Sequence, residues 1–99
     1  MPKLSSKVIH IADKTTSIRL AEAEWDALEL ICERENIKKT SLLNLINDYK
    51  DKDMGLTCSV RLFSLIYMHH WLLGKQQPNY GISKIKPQSP IFDAIKGII

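Results

Sequence analysis

Three side chains near the N-terminus, Thr15, Ser17 and Arg19, alternate with Thr16, Ile18 and Leu20. On an extended strand such alternation puts Ile18 and Leu20 on one face and Thr15, Ser17 and Arg19 on the other. The outward set is chemically capable of reading nucleic acid. An arginine can make a bidentate contact with guanine, while serine and threonine hydroxyls serve almost any base. A second group, Lys38 and Lys39 followed by Thr40 and Ser41, stands where a helix is predicted to begin. Free amides at a helix start attract anions, and the lysines, with Lys14, add Coulombic attraction to phosphates. A solvated loop accommodates Lys38 and Lys39 equally well. Arg19 also has a plain reading as a solvated strand residue.

The charge distribution is oriented. Residues 1–20 carry Lys3, Lys7, Lys14 and Arg19 against Asp13, a balance of +3. Residues 21–36 carry six carboxylates against Arg34, a balance of −5, within an overall net charge of +3. A basic segment beside an acidic one suits a partner that is anionic on one side only. The acids are expected to form a solvated helix face.

Other chemistry is poorly supplied. Cys32 and Cys58 lie far apart with no CxxC pairing, and both are expected to be buried free thiols. His69 and His70 are adjacent, so on a helix they diverge by about 100° and do not readily share a metal. His10 stands alone on an extended run. No glycine-rich phosphate loop, HExxH, GxSxG or paired-carboxylate pattern occurs. The expectation is a non-enzyme with no metal and no cofactor. No apolar run reaches the ~18 residues of a membrane span, and the first residues lack a secretory h-region. A cytoplasmic, membrane-free protein is expected.

The elements that must position these groups follow from periodicity. A strand is predicted over Thr15–Leu20, with a shorter one at Val8–Ile11 joined to it by Ala12 and Asp13. A helix from Glu22 to Glu35 carries Trp25, Leu28 and Cys32 on one stripe with Ala27 and Ile31 beside it, and Asn36 stops it. A second helix is predicted from Thr40 to Lys50, capped by Thr40 or Ser41 and buried through Leu42, Leu43, Ile46 and Tyr49. A third runs from Thr57, its cap, to Leu73, with an apolar band of Val60, Phe63, Ile66, Tyr67 and Leu73. That band is broad enough to be buried on more than one side. The chain divides into a domain over 1–73 and an extension over 74–99, whose end is predicted to hold a short amphipathic turn of helix.

A lone six-residue strand cannot satisfy its own backbone, and an economical remedy is a second copy across a two-fold axis. Such an antiparallel ribbon fits the major groove of B-DNA. Ile18, Leu20, Trp25, Leu28, Ile31, Leu42 and Ile46 are then expected to form the core of an intertwined homodimer. Trp25 and Trp71 read as core or interface anchors.

The segments Thr16–Leu20, Trp25–Leu28, Arg34–Ile37 and Leu42–Asn47, with Cys58–Phe63 and Tyr67, resemble the ribbon–helix–helix family. The match is to a bacterial subfamily with an SVRLEPEFWDAL-type motif and an SALRVFVLEY-type third helix, over roughly residues 7–72. The resemblance implies a mainly α fold with a short N-terminal β-ribbon and an added third helix. It also implies a sequence-specific regulator, a repressor, that binds double-stranded DNA as a dimer or as paired dimers. Base contacts then fall on Thr15, Ser17 and Arg19, and phosphate contacts on Lys14 and Lys38 to Ser41. The chain departs from the pattern at Glu22, where relatives carry proline, at Glu24, where they carry an aromatic, and at Lys38, where they carry a capping serine. The alternative is a protein-interaction or antitoxin-like adaptor on the same dimeric scaffold, holding a partner through the third helix or the extension. The strand Val8–Ile11 favours it, because a widened ribbon is harder to insert in a groove.

Overall fold

The computed structural model describes residues 3–73 and 90–99. Its elements are β1 (Leu4–Ile11), β2 (Lys14–Ala21), α1 (Glu22–Glu35), α2 (Lys39–Tyr49), α3 (Leu56–Leu72) and α4 (Pro90–Ile95). The two strands form an antiparallel hairpin with Leu4 opposite Ala21 and Ile11 opposite Lys14. Ala12 and Asp13 make the two-residue turn, and Ala12 takes a left-handed φ of 54°. That conformation suits the turn type that matches strand twist, although alanine adopts it less readily than glycine. Asn44 of α2 holds the turn in place. Its side chain accepts from the Ala12 amide at 2.8 Å and donates to the His10 carbonyl at 3.0 Å.

The first strand is therefore longer than the predicted Val8–Ile11, and β2 pairs within its own chain. The inference that its backbone needs a second copy has to be corrected to one edge only. Among the described residues the sheet has two strands, and no strand lies on the far side of β2.

Below the hairpin, Ile9, Ile11, Ile18 and Leu20 enter one core with Trp25, Leu28, Ile31, Leu42, Leu43 and Ile46. The seven residues assigned to a dimer core are thus each buried within a single chain. The Trp25 indole donates to the Ser5 carbonyl at 2.9 Å, which ties α1 to β1. At the start of α1, Glu24 accepts from the Ala21 amide at 2.7 Å, satisfying a donor that a capping serine would leave to its partner. Asn36 ends the helix at φ 56°, ψ 50°, as its tolerance of that region predicts, and Ile37 donates to the Cys32 carbonyl at 3.0 Å.

Several boundaries differ from expectation. The cap of α2 is Lys38, without a side-chain cap, so Thr40 and Ser41 lie inside the first turn. The cap of α3 is Gly55, directly before the core-packed Leu56, and Thr57 is already helical. Tyr49 and Leu73 are exposed rather than buried, and Cys58 is exposed while Cys32 is buried. Burial pushes the Cys32 thiol up, away from reactivity.

Glu22, Asp26, Glu29 and Glu33 of α1 are exposed, whereas Glu35 is half-buried in a cluster with α3. Tyr67, fully buried on α3, accepts from Arg34 at 2.8 Å and donates to the Glu35 carboxylate. Arg34 lies over the Trp71 ring, 4.2 Å from its centroid. Desolvation, then the hydrogen bond to Glu35, push the Tyr67 hydroxyl up, so it stays a proton donor. Tyr67→Phe removes the shared hydroxyl from this cluster and should cost about 1–3 kcal/mol in denaturant unfolding.

The end of the chain belongs to the same core. Ile91, Ala94, Ile95 and Ile98 are buried against α3 and the end of α2. Their i, i+3, i+4, i+7 spacing is that of one apolar helix stripe. Pro90 opens α4, where its missing amide is harmless. Asp51 donates from its amide to the Ile98 carbonyl at 2.8 Å, and Tyr49 meets Phe92 edge-on at 5.9 Å. A side chain at Gly97 would collide with Ile66, so glycine permits the close approach. The extension expected over 74–99 is thus described only in its last ten residues; 74–89 lie outside the described residues.

Candidate nucleic-acid interface

Strand register fixes what the hairpin shows to solvent. Residues directly opposite share a face, so Ser6 with Arg19, Val8 with Ser17, and His10 with Thr15 form the outward surface. All six are exposed, while Ile9, Ile11, Ile18 and Leu20 beneath them are buried. The structure therefore brings Thr15, Ser17 and Arg19 together on one open face. Among the described residues, the Arg19, Lys14 and Lys38 side chains have no hydrogen bond or ion pair. Sequence alternation found β2's half of this face. It did not find Ser6, Val8 and His10, whose side is fixed by the register of β1 against β2.

The open edge of β2 lies beside these residues. In a two-residue hairpin the pair next to the turn, Ile11 and Lys14, is the hydrogen-bonded one. Alternation then turns the backbone groups of Thr15, Ser17 and Arg19 towards the free edge. Beside that edge runs an apolar trough of about 260 Å³, lined by Leu20, Ala23, Ala27, Val60, Leu65 and Met68. Leu65 and Leu72, on the same side of α3 as Met68, are 65% and 85% exposed. Arg61 and Glu24 close its rim with an ion pair at 3.0 Å.

The start of α2 offers backbone amides at Lys39, Thr40 and Ser41 with no side-chain cap. Lys38, Thr40 and Ser41 are exposed there. Lys39 is placed differently from its neighbour. Its ammonium group pairs with Glu29 at 3.0 Å and lies 5.4 Å from the Trp25 ring centroid. The hydrogen bond and charge of Lys39 hold the Glu29 carboxyl below the usual range. Lys39 thus arrives at this site already neutralised. If the start of α2 holds a phosphate of duplex DNA, Glu29→Gln should release Lys39 to it, tightening binding and steepening the salt dependence by about one counterion per chain. Titrations of a labelled duplex across a salt series measure both effects.

Among the described residues no group of three or more His, Cys, Asp or Glu could hold a metal, and no helix is long and apolar enough to cross a membrane. No curated protein and no solved structure matches the chain significantly. Residues 4–68, from the first strand through most of α3, match the ribbon-helix-helix domain. With its two-stranded antiparallel ribbon followed by helices, the chain belongs to the ribbon–helix–helix family, a family of DNA-binding regulators.

Proposed function

We propose that this protein is a sequence-specific transcriptional repressor that binds duplex DNA as a homodimer. Two copies join β2 to β2 along their open edges, and the paired strands enter the major groove. The single observation that carries this reading is the outward set Thr15, Ser17 and Arg19, unpartnered among the described residues, on a strand whose other edge is open among them. Joining the edges satisfies the free backbone groups of β2. It also brings the apolar troughs of the two chains side by side, covering Leu65 and Met68. Arg19 supplies the guanine contact, and Thr15 and Ser17 supply less discriminating hydrogen bonds. Lys38 and the amides of Thr40 and Ser41 grip phosphates and set the register without reading sequence, whereas Lys14, opposite Ile11, lies on the other face of the hairpin.

The test is duplex binding by the full chain at several salt concentrations, together with its mass in solution. A dimer whose affinity falls steeply with salt supports the reading. A monomer that ignores duplex DNA at low salt overturns it. The adaptor reading places a protein partner on the third helix or the extension; within the extension, the buried side of residues 91–98 is committed to the chain's own core.

A further inference from the structure

The strand that sequence patterning treats as an obstacle to groove binding has a geometry of its own. If β2 pairs with β2, the sheet has four strands in the order β1, β2, β2, β1. Neighbouring strands lie about 4.8 Å apart, so the two inner strands fit easily within a major groove about 12 Å wide. The outer strands lie about 14 Å apart. They are too far apart for both to enter, and each comes to rest over one of the sugar–phosphate rims. On each β1 the outward residues are Ser6, Val8 and His10, on the same face as Arg19, Ser17 and Thr15. Ser6 brings a hydroxyl and His10 an imidazole N–H, both able to donate to phosphate oxygens. Neither side chain has a partner among the described residues. Val8, between them, is 70% exposed.

We propose that β1 is a phosphate-contacting strand, with Ser6 and His10 donating to the backbone on either side of the groove that the paired β2 strands enter. This inference rests on the DNA-binding reading above. It makes β1 an addition to the interface: the inner strands read bases, and the outer strands hold the rims. The Asn44 hydrogen bonds to Ala12 and His10 hold the turn end of β1 to α2, so that end of the rail is fixed before DNA arrives.

A charge placed at Val8 reports which surface lies beneath it, and its exposure means that folding should not suffer. Val8→Lys is expected to tighten binding to every duplex, by about five- to tenfold at low salt. It should steepen the slope of log affinity against log salt by about two per dimer, one phosphate per chain. Val8→Glu should weaken binding by a comparable factor. The double variant Ser6→Ala, His10→Ala should bind three- to tenfold more weakly, with the selected base pattern unchanged. The proposal is overturned if both Val8 variants bind within twofold of the parent, or if any of the three variants alters base preference. If the parent protein binds no duplex at all, the functional reading itself fails, and the proposal with it.

Discussion

Ser17→Pro is expected to yield a folded chain that no longer dimerises and has lost duplex binding by a hundredfold or more. Alternation along the hairpin directs the Ser17 amide to the open edge, so proline there removes no hydrogen bond from the β1–β2 ladder. Proline is tolerated on edge strands for the same reason. It does remove a donor needed for β2 to pair with a second β2, at the middle of the strand. Unfolding stability should therefore change by no more than about 1 kcal/mol, while sedimentation shows a monomer at micromolar concentration. The adjacent variant Thr16→Pro is the control. Thr16 lies opposite Ile9 in a hydrogen-bonded pair, so proline there breaks the hairpin itself and should lower thermal stability first. A Ser17→Pro dimer with undiminished DNA binding would show that the chains associate elsewhere.

Arg19→Ala should have the second large effect, this time on recognition. A bidentate contact to guanine discriminates by about 1–3 kcal/mol, and the dimer has two such arginines. Their loss should weaken the preferred site by roughly 2–6 kcal/mol, thirtyfold or more, while non-specific binding falls much less. The selected pattern should lose one base step in each half-site. Lys38→Ala should behave differently, weakening all duplexes alike and reducing the salt slope by about one per chain. Competition titrations with matched and scrambled duplexes separate the two behaviours.

The residues that these experiments target were legible to different degrees. Period-two alternation fixes the sides of β2, because Ile18 and Leu20 have to be buried and Arg19 does not. Asn36 announces the end of α1 by its own backbone preference. Both signals are local. The pairing of β1 with β2 was only half visible, since Lys7 and Val8 blur the alternation beyond Ile9 and Ile11. Lys7 faces the Trp25 ring, 4.9 Å from its centroid, a contact that nothing nearby in sequence predicts. The Glu29–Lys39 pair joins two helices, and the Tyr67 cluster joins α1 to α3, so neither follows from spacing along one element. The starts of α2 and α3 are not legible from their hydroxyl residues, which usually mark caps, because here Lys38 and Gly55 hold those positions. The burial of residues 91–98 was foreshadowed by their helical stripe, yet not where they dock.

The exposed stripe of α3 gives the third helix a role in the same account. Its inner side meets α1, α2 and β2, and α4 covers another side. Leu65 remains open beside Leu20 of β2, and Leu72 is open further along the helix, near Leu30. A two-fold axis along that edge would cover the strand together with Leu65 of the apolar band.

Selection of bound sequences from a random duplex pool, by the intact protein at moderate salt, tests most directly the claim that the β2 strands read DNA as a two-fold pair. The account predicts an enriched inverted repeat with a guanine in each half that disappears with Arg19→Ala. Recovery of a pool as random as the one supplied would contradict it.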